Sequence, residues 1–142
     1  MKCSVYKLGK LKKYKYVVTF ARYNDKWIIC KNKSRNTLET SGGHIEPHET
    51  PLEAAKRELY EETGALEFDI TPVCDYWACT EPHETENITW SNGQVFFAIV
   101  KKMGPIPETS EMEKIDLFDY YPQNLTYPDI TVKLLPQIIT RI

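Results

Sequence analysis

The chain has 142 residues, of which 42% are hydrophobic, 27% charged and 12% aromatic. That balance suits a single globular domain over residues 1–142 and excludes a disordered, collagen-like or coiled-coil chain. Eighteen basic against twenty acidic side chains leave a net charge of -2, so no global positive field recruits nucleic acid. No apolar run approaches the ~18 residues of a membrane span, so no membrane partner is expected. The lysine-rich N-terminus lacks the apolar stretch of a secretory signal, which makes the cytoplasm the expected location. There Cys3, Cys30, Cys74 and Cys79 are expected to be reduced thiols, and no CxxC spacing points to zinc or dithiol chemistry.

Tyr14 to Ala21 is β-branched and aromatic, and Trp27 to Cys30 follows a polar Asn24-Asp25 turn, so the two segments read as a hairpin. A helix is expected after Thr50. Thr50 is the N-cap, Pro51 opens the first turn, Glu53 completes a capping box and Gly64 stops the helix. Leu52, Ala55 and Leu59 would form its apolar stripe. Val73 to Thr80 and Val95 to Lys101 read as further strands, the second buried on both faces because Val95 to Val100 is continuously apolar. Ile115 to Tyr120 reads as a weaker strand. Asp129 to Thr140 reads as a closing helix that Pro136 must break or bend.

Charge is distributed unevenly. Residues 1–35 carry eleven basic side chains and one acid, Asp25, whereas residues 36–142 carry seven basic and nineteen acidic ones. This pattern is compatible with two solvated faces, or with an acidic metal site facing basic groups that meet a polyphosphate. On the helix, Glu58, Glu61 and Glu62 stand at i, i+3 and i+4, so three carboxylates share one face near a helix C-terminus. Like charges at this spacing repel, and the macrodipole disfavours anions there. The cluster is compatible with a solvated acidic face or with a missing cation. A hard divalent ion with an affinity for carboxylate and phosphate oxygens would supply one.

The residues upstream sharpen this reading. From Gly43, five residues lead to Glu49 and seven more to Arg57-Glu58-Leu59; Tyr60, Glu61-Glu62, Thr63, Gly64 and Ala65 follow. The segment GHIEPHETPLEAAKRELYEETGA, residues 43–65, resembles the Nudix box of the Nudix hydrolases at every fixed charged and glycine position. It departs at Ala65, where a bulky aliphatic residue is usual, and at Ser41, where MutT-like members often carry proline. Neither change removes a candidate ligand.

The resemblance implies an α/β fold, specifically an α/β/α sandwich with a mixed β-sheet. It further implies hydrolysis of a nucleoside diphosphate linked to another group X, with Mg²⁺ or Mn²⁺ as cofactor. By position, Glu58, Glu61 and Glu62 would hold the metal with a backbone carbonyl of Gly42 or Gly43. Arg57 and Glu49 would orient the glutamates, and Glu58 would be the general base, with Glu61 and Arg57 also catalytic. Glu111, or Glu108, would add a ligand from a later loop. His44, His48 and His83 are read as surface or loop residues, because magnesium prefers oxygen.

The compact chain looks most like MutT-type (deoxy)nucleoside triphosphate pyrophosphohydrolases, which release a nucleoside monophosphate and pyrophosphate. Tyr76, Trp77, Phe118 or Tyr121 could clamp a base, and Asn124 or Thr126 could read its edge. Lys12, Lys13, Lys31, Lys33 and Arg35 could meet the triphosphate. Two alternatives are an enzyme acting on RNA 5′ ends and a non-catalytic nucleotide sensor on the same fold. Monomer and homodimer are equally compatible with the sequence.

Overall fold

The computed structural model describes residues 1–79 and 90–142; Thr80 and His83 lie outside the described residues. Ten elements follow in chain order: β1 (Lys2–Tyr6), β2 (Tyr16–Tyr23), β3 (Lys26–Asn32), β4 (Leu38–Glu39), β5 (Ser41–His44), α1 (Pro51–Thr63), β6 (Ala65–Cys79), β7 (Trp90–Met103), β8 (Met112–Phe118) and α2 (Pro128–Ile139). The strands form a mixed sheet of order β1-β6-β7-β2-β3-β4, with β5 paired to β2 and β8 to β3. Strands β2 and β7 run parallel, from Tyr16 beside Gly93 to Tyr23 beside Val100.

Alternation along β2 sorts its side chains to opposite faces of the sheet. Val17 packs with Phe96 of β7 and with Ala54 and Ala55 of α1. Phe20 packs on the other face with Val95, Phe97 and the α2 residues Leu134 and Ile138. One helix on each face makes the α/β/α sandwich that the sequence resemblance implied. The β2–β3 hairpin closes through Asn24 and Asp25, both left-handed at φ 52° and 62°, as short polar residues tolerate best.

Helix α1 begins as its sequence dictates. The Glu53 amide donates to Thr50 Oγ1 at 3.1 Å, and the Thr50 amide donates to Glu53 Oε1 at 3.0 Å. Gly64 ends the helix at φ 79°, and its amide donates to the Tyr60 carbonyl. The buried stripe differs from expectation: it comprises Ala54, Ala55 and Leu59, whereas Leu52 is exposed. Leu52 lies in the first turn, beyond the residues that reach Val17 and Phe96.

Other departures share one cause, pairing that composition does not announce. Polar-faced β1 is a strand because it pairs antiparallel with the far half of β6, from Lys2 beside Cys79 to Tyr6 beside Asp75. Strand β6 begins immediately after the helix rather than at Val73, because its first half pairs with β7 as far as Met103. Helix α2 continues through Pro136, which lies within its last turn and so removes a single amide donor. Along β7, Val95, Phe96, Phe97, Ala98 and Val100 are buried, but Ile99 is exposed. Cys3, Cys30 and Cys74 are free thiols. Among the described residues, no helix is long and apolar enough to cross a membrane.

Candidate active site

The second half of α1 presents Arg57, Glu58, Glu61 and Glu62 beside the loop that enters the helix. Arg57 is the hub. Its Nε and Nη2 donate to the two oxygens of Glu49 at 2.7 and 2.9 Å, a bidentate pair that fixes the guanidinium plane. Its Nη1 donates to Glu58 Oε1 at 2.9 Å and to Glu61 Oε2 at 3.3 Å, and Nη2 also donates to the His44 carbonyl. These bonds raise the Arg57 pKa further, the Glu49 pair contributing most, and the same pair lowers the pKa of Glu49. Glu49 thus precedes the helix, yet holds the arginine that positions the carboxylates behind it.

Glu58 and Glu62 are drawn inward by different means. The Glu58 carboxylate lies against Gly43, where a Cβ would stand 2.6 Å from its Cδ, so any side chain at 43 would displace it. Gly42 is also confined, since a Cβ there would meet the Val17 carbonyl at 2.5 Å. Glu62 is buried; its Oε1 accepts from the Gly42 amide at 2.7 Å and from Ser41 Oγ at 3.0 Å. Ser41, the departure from the proline pattern, therefore supplies a hydroxyl donor. Burial pushes the pKa of Glu62 up to about 8, and the nearby charges of Glu58 and Glu39 add to that rise. The pKa of Glu58 also rises, first through burial, while Arg57 opposes the rise and Glu61 and Glu111 reinforce it.

The donor set suits a hard cation. Its members are carboxylate oxygens, and Arg57 is committed to Glu49, Glu58 and Glu61, which leaves buried Glu62 with neutral donors only. Among the described residues, the carboxylates do not converge on one point: Glu62 turns to Ser41 and Gly42, Glu58 to Arg57, and Glu61 to the exposed side of α1.

A cavity of about 370 Å³ adjoins this cluster, and Gly42, Gly43, Glu62, Glu111, Arg35 and Glu39 are among the residues that line it. Tyr76 and Tyr16 also line it, flanking Gly93 in one row across β6, β7 and β2. A Cβ at Gly93 would stand 2.1 Å from the Tyr76 ring, so the glycine makes room for that aromatic floor. Glu111 lies on the cavity wall and bears electrostatically on Glu58, whereas Glu108 lies outside the lining. The His44 ring lies tilted against Tyr16 with 4.3 Å between ring centroids, and His48 is an exposed loop residue.

Several expected substrate contacts fall elsewhere. Phe118 does not line the cavity; it sits opposite Trp27 in the β3–β8 ladder and packs on the core. Asn124 donates from its amide to the Asn36 carbonyl and is also outside the lining. Tyr121 is half-buried against Phe20 and Trp27 and shares a hydrogen bond with Thr40. Lys33 donates to the Ser110 carbonyl at 2.8 Å, which fastens the loop before Glu111, and Lys31 pairs with Glu113. Lys12 and Lys13 stand outside the cavity. Arg35 lines the cavity as expected, but its Nη1 is bound to Glu39 Oε2 at 2.7 Å. Glu39 itself escapes a reading of the sequence: it is buried, and its Oε2 also accepts from Thr126 Oγ1 across the fold. Its one local signal is a carboxylate three residues before the paired glycines.

The NUDIX domain family model matches residues 13–124. The chain belongs to the Nudix hydrolase family. A Bacillus subtilis (strain 168) protein provisionally named as the 8-oxo-dGTP diphosphatase YtkD is 30% identical over 112 residues, covering 79% of this chain and 66% of that protein. Among solved structures, a mutant form of the B. subtilis pyrophosphohydrolase BsRppH superposes with a TM-score of 0.77 at 23% identity, covering 98% of this chain and 88% of that one. The Nudix domain of Shewanella oneidensis NrtR, complexed with ADP ribose, superposes with a TM-score of 0.66 at 15% identity over 92% and 90% of the two chains. At these identities the two structures speak for the Nudix fold. Enzymes of this family generally use divalent metal ions.

Proposed function

We propose that this single-domain Nudix hydrolase is a metal-dependent (deoxy)nucleoside triphosphate pyrophosphohydrolase, cleaving its substrate to a nucleoside monophosphate and pyrophosphate. The observation that carries the reading is the buried Glu62 carboxylate, held by neutral donors only beside Glu58 while Arg57 serves the other acids. The provisional 8-oxo-dGTP diphosphatase name of the B. subtilis relative supports the substrate class.

Glu58, Glu61 and Glu62 would hold Mg²⁺ or Mn²⁺, with the Gly42 carbonyl and Glu111 completing the set. A bound ion would supply charge neutralisation for the phosphates and would make the attacking water more acidic. Arg57, fixed by Glu49, holds Glu58 and Glu61 in their rotamers, as supporting groups around metal ligands do. Glu58 accepts the proton of the attacking water. The water oxygen bonds to phosphorus, the bridging P–O bond breaks and pyrophosphate leaves. Tyr16 and Tyr76 floor the base site, and Arg35 with Glu39 present polar groups to the nucleotide.

A screen of pyrophosphatase-coupled phosphate release tests this reading with dNTPs, oxidised dGTP, ADP-ribose and dinucleotides, with and without Mg²⁺. The expected result is metal-dependent turnover of triphosphates that drops by orders of magnitude in Glu61→Gln. A wild-type rate in that variant would remove Glu61 from the metal site.

A further inference from the structure

Strand β2 turns Val17 and Ala21 towards α1, where Val17 packs with Ala54 and Ala55, and Ala21 with Leu59. Thr19 lies between them in the alternation and shares that face. In the antiparallel pairing of β2 with β5, Thr19 stands opposite Ser41, so both side chains point towards the helix that carries Glu62. Both residues are buried. Their hydroxyls differ in what they meet. Ser41 Oγ donates to Glu62 Oε1 at 3.0 Å, whereas Thr19 Oγ1 has no hydrogen-bond partner among the described residues.

Glu62 Oε1 also accepts the Gly42 amide at 2.7 Å, and among the described residues Oε2 accepts no hydrogen bond. Oε2 is not sealed in the interior, because Thr19 Oγ1 is the one wholly buried side-chain nitrogen or oxygen there that lacks a partner. Glu62 lines the cavity, which leaves Oε2 as the oxygen that opens to it. The two oxygens of this carboxylate are therefore divided. One is bound by two neutral donors from adjacent residues of β5, and the other is free for a ligand. A carboxylate held by one amide can swing about that single bond, whereas a second donor fixes its orientation. Proline at position 41 would bring no hydroxyl and would leave Oε1 with the Gly42 amide alone.

We propose that Ser41 is a positioning residue for the cation: with the Gly42 amide it fixes Glu62 Oε1 and presents Oε2 as the ligand oxygen. This rests on the reading of Glu62 as a metal ligand. It gives the departure from the proline pattern a consequence, a tighter hold on the divalent ion before any nucleotide binds.

Mn²⁺ titrations followed by the electron paramagnetic resonance signal of the free ion test this without turnover. Ser41→Ala should weaken Mn²⁺ binding about tenfold, as loss of a group that supports a metal ligand does. The Mg²⁺ concentration for half-maximal turnover should rise by a similar factor. Ser41→Thr keeps the hydroxyl and should bind Mn²⁺ as the wild type does. Thr19→Val removes the neighbouring hydroxyl, which does not touch Glu62, and should leave the affinity unchanged. Melting in EDTA establishes that each variant is folded at the assay temperature. Wild-type affinity in Ser41→Ala overturns the positioning role and leaves Glu62 as a ligand. The same loss in Ser41→Thr or Thr19→Val also overturns it, because packing of the β2–β5 pair rather than the hydroxyl would then set the affinity. Wild-type affinity in Glu62→Gln overturns the metal reading of Glu62 itself, and the role of Ser41 with it.

Discussion

The carboxylate end of the site and the cavity beside it are built in opposite ways. At the carboxylate end every partner of Arg57 lies within residues 44–61: Glu58 and Glu61 share α1 with it, and the loop entering the helix brings His44, Glu46 and Glu49. In the cavity, Glu39 bonds to Thr126, 87 residues away, and Tyr16, Gly93 and Tyr76 meet only through the pairing of β2, β7 and β6. The local half is a charge network under electrostatic load. The distant half is a set of side chains whose role depends on which strands lie side by side. Damage to the first should therefore slow the chemical step, and damage to the second should change substrate affinity.

The largest effect beyond the Glu61→Gln test is expected for Arg57→Lys. An ammonium cannot reproduce the bidentate bond to Glu49 while also reaching Glu58 and Glu61, so kcat should fall about 10- to 100-fold with a smaller change in KM. Steady-state kinetics check this, and a change confined to KM would show that the network does not orient the glutamates. Gly43→Ala comes next, since its Cβ must push Glu58 aside. An approximately tenfold loss of kcat is expected, with little change in melting temperature because the Glu58 side chain can turn outward.

Glu39→Gln probes the other half. It keeps the shape but weakens the hold on Arg35 and Thr126, so KM for a nucleoside triphosphate should rise a few-fold at nearly constant kcat. A fall in kcat alone would move Glu39 from the nucleotide wall to the chemistry.

The smallest effect is thermodynamic. The folded protein holds a proton on Glu62 up to about pH 8, whereas the ordinary value is 4.5. Glu62 contributes stability fully below pH 4.5 and loses it as pH rises towards 8, because the folded state there binds more protons than the unfolded chain. Thermal melts in chelator should therefore drop by several degrees across that window. Glu62→Gln should flatten the drop, and added Mg²⁺ should reverse it in the wild type. Melts independent of pH would show that the Glu62 charge is already compensated.

The comparison also separates what the residue order could reveal from what it could not. Thr50, Pro51, Glu53 and Gly64 define α1 through bonds to their own neighbours, so its ends were legible. Glu58, Glu61 and Glu62 share a face because 3.6 residues make a turn. The proximity of Gly43 to Glu58 was implied by the family resemblance and took its physical form only in the packed loop. Strand β1 and the first half of β6 were missed because their polar faces carry no strong period, and distant pairing partners hold them in place.

The sequence by itself determined the family, the α/β class and the glutamates of the box, since these depend on residue types at short, regular spacing. Only the tertiary structure decided that Phe118 and Asn124 serve packing and loop structure, that Glu39 and Tyr76 face the cavity, and that the Ser41 hydroxyl reaches Glu62. The physical reason is range. Helix caps and carboxylate spacing act over one or two turns, whereas strand order and side-chain facing arise from contacts that chain connectivity leaves open until the sheet closes.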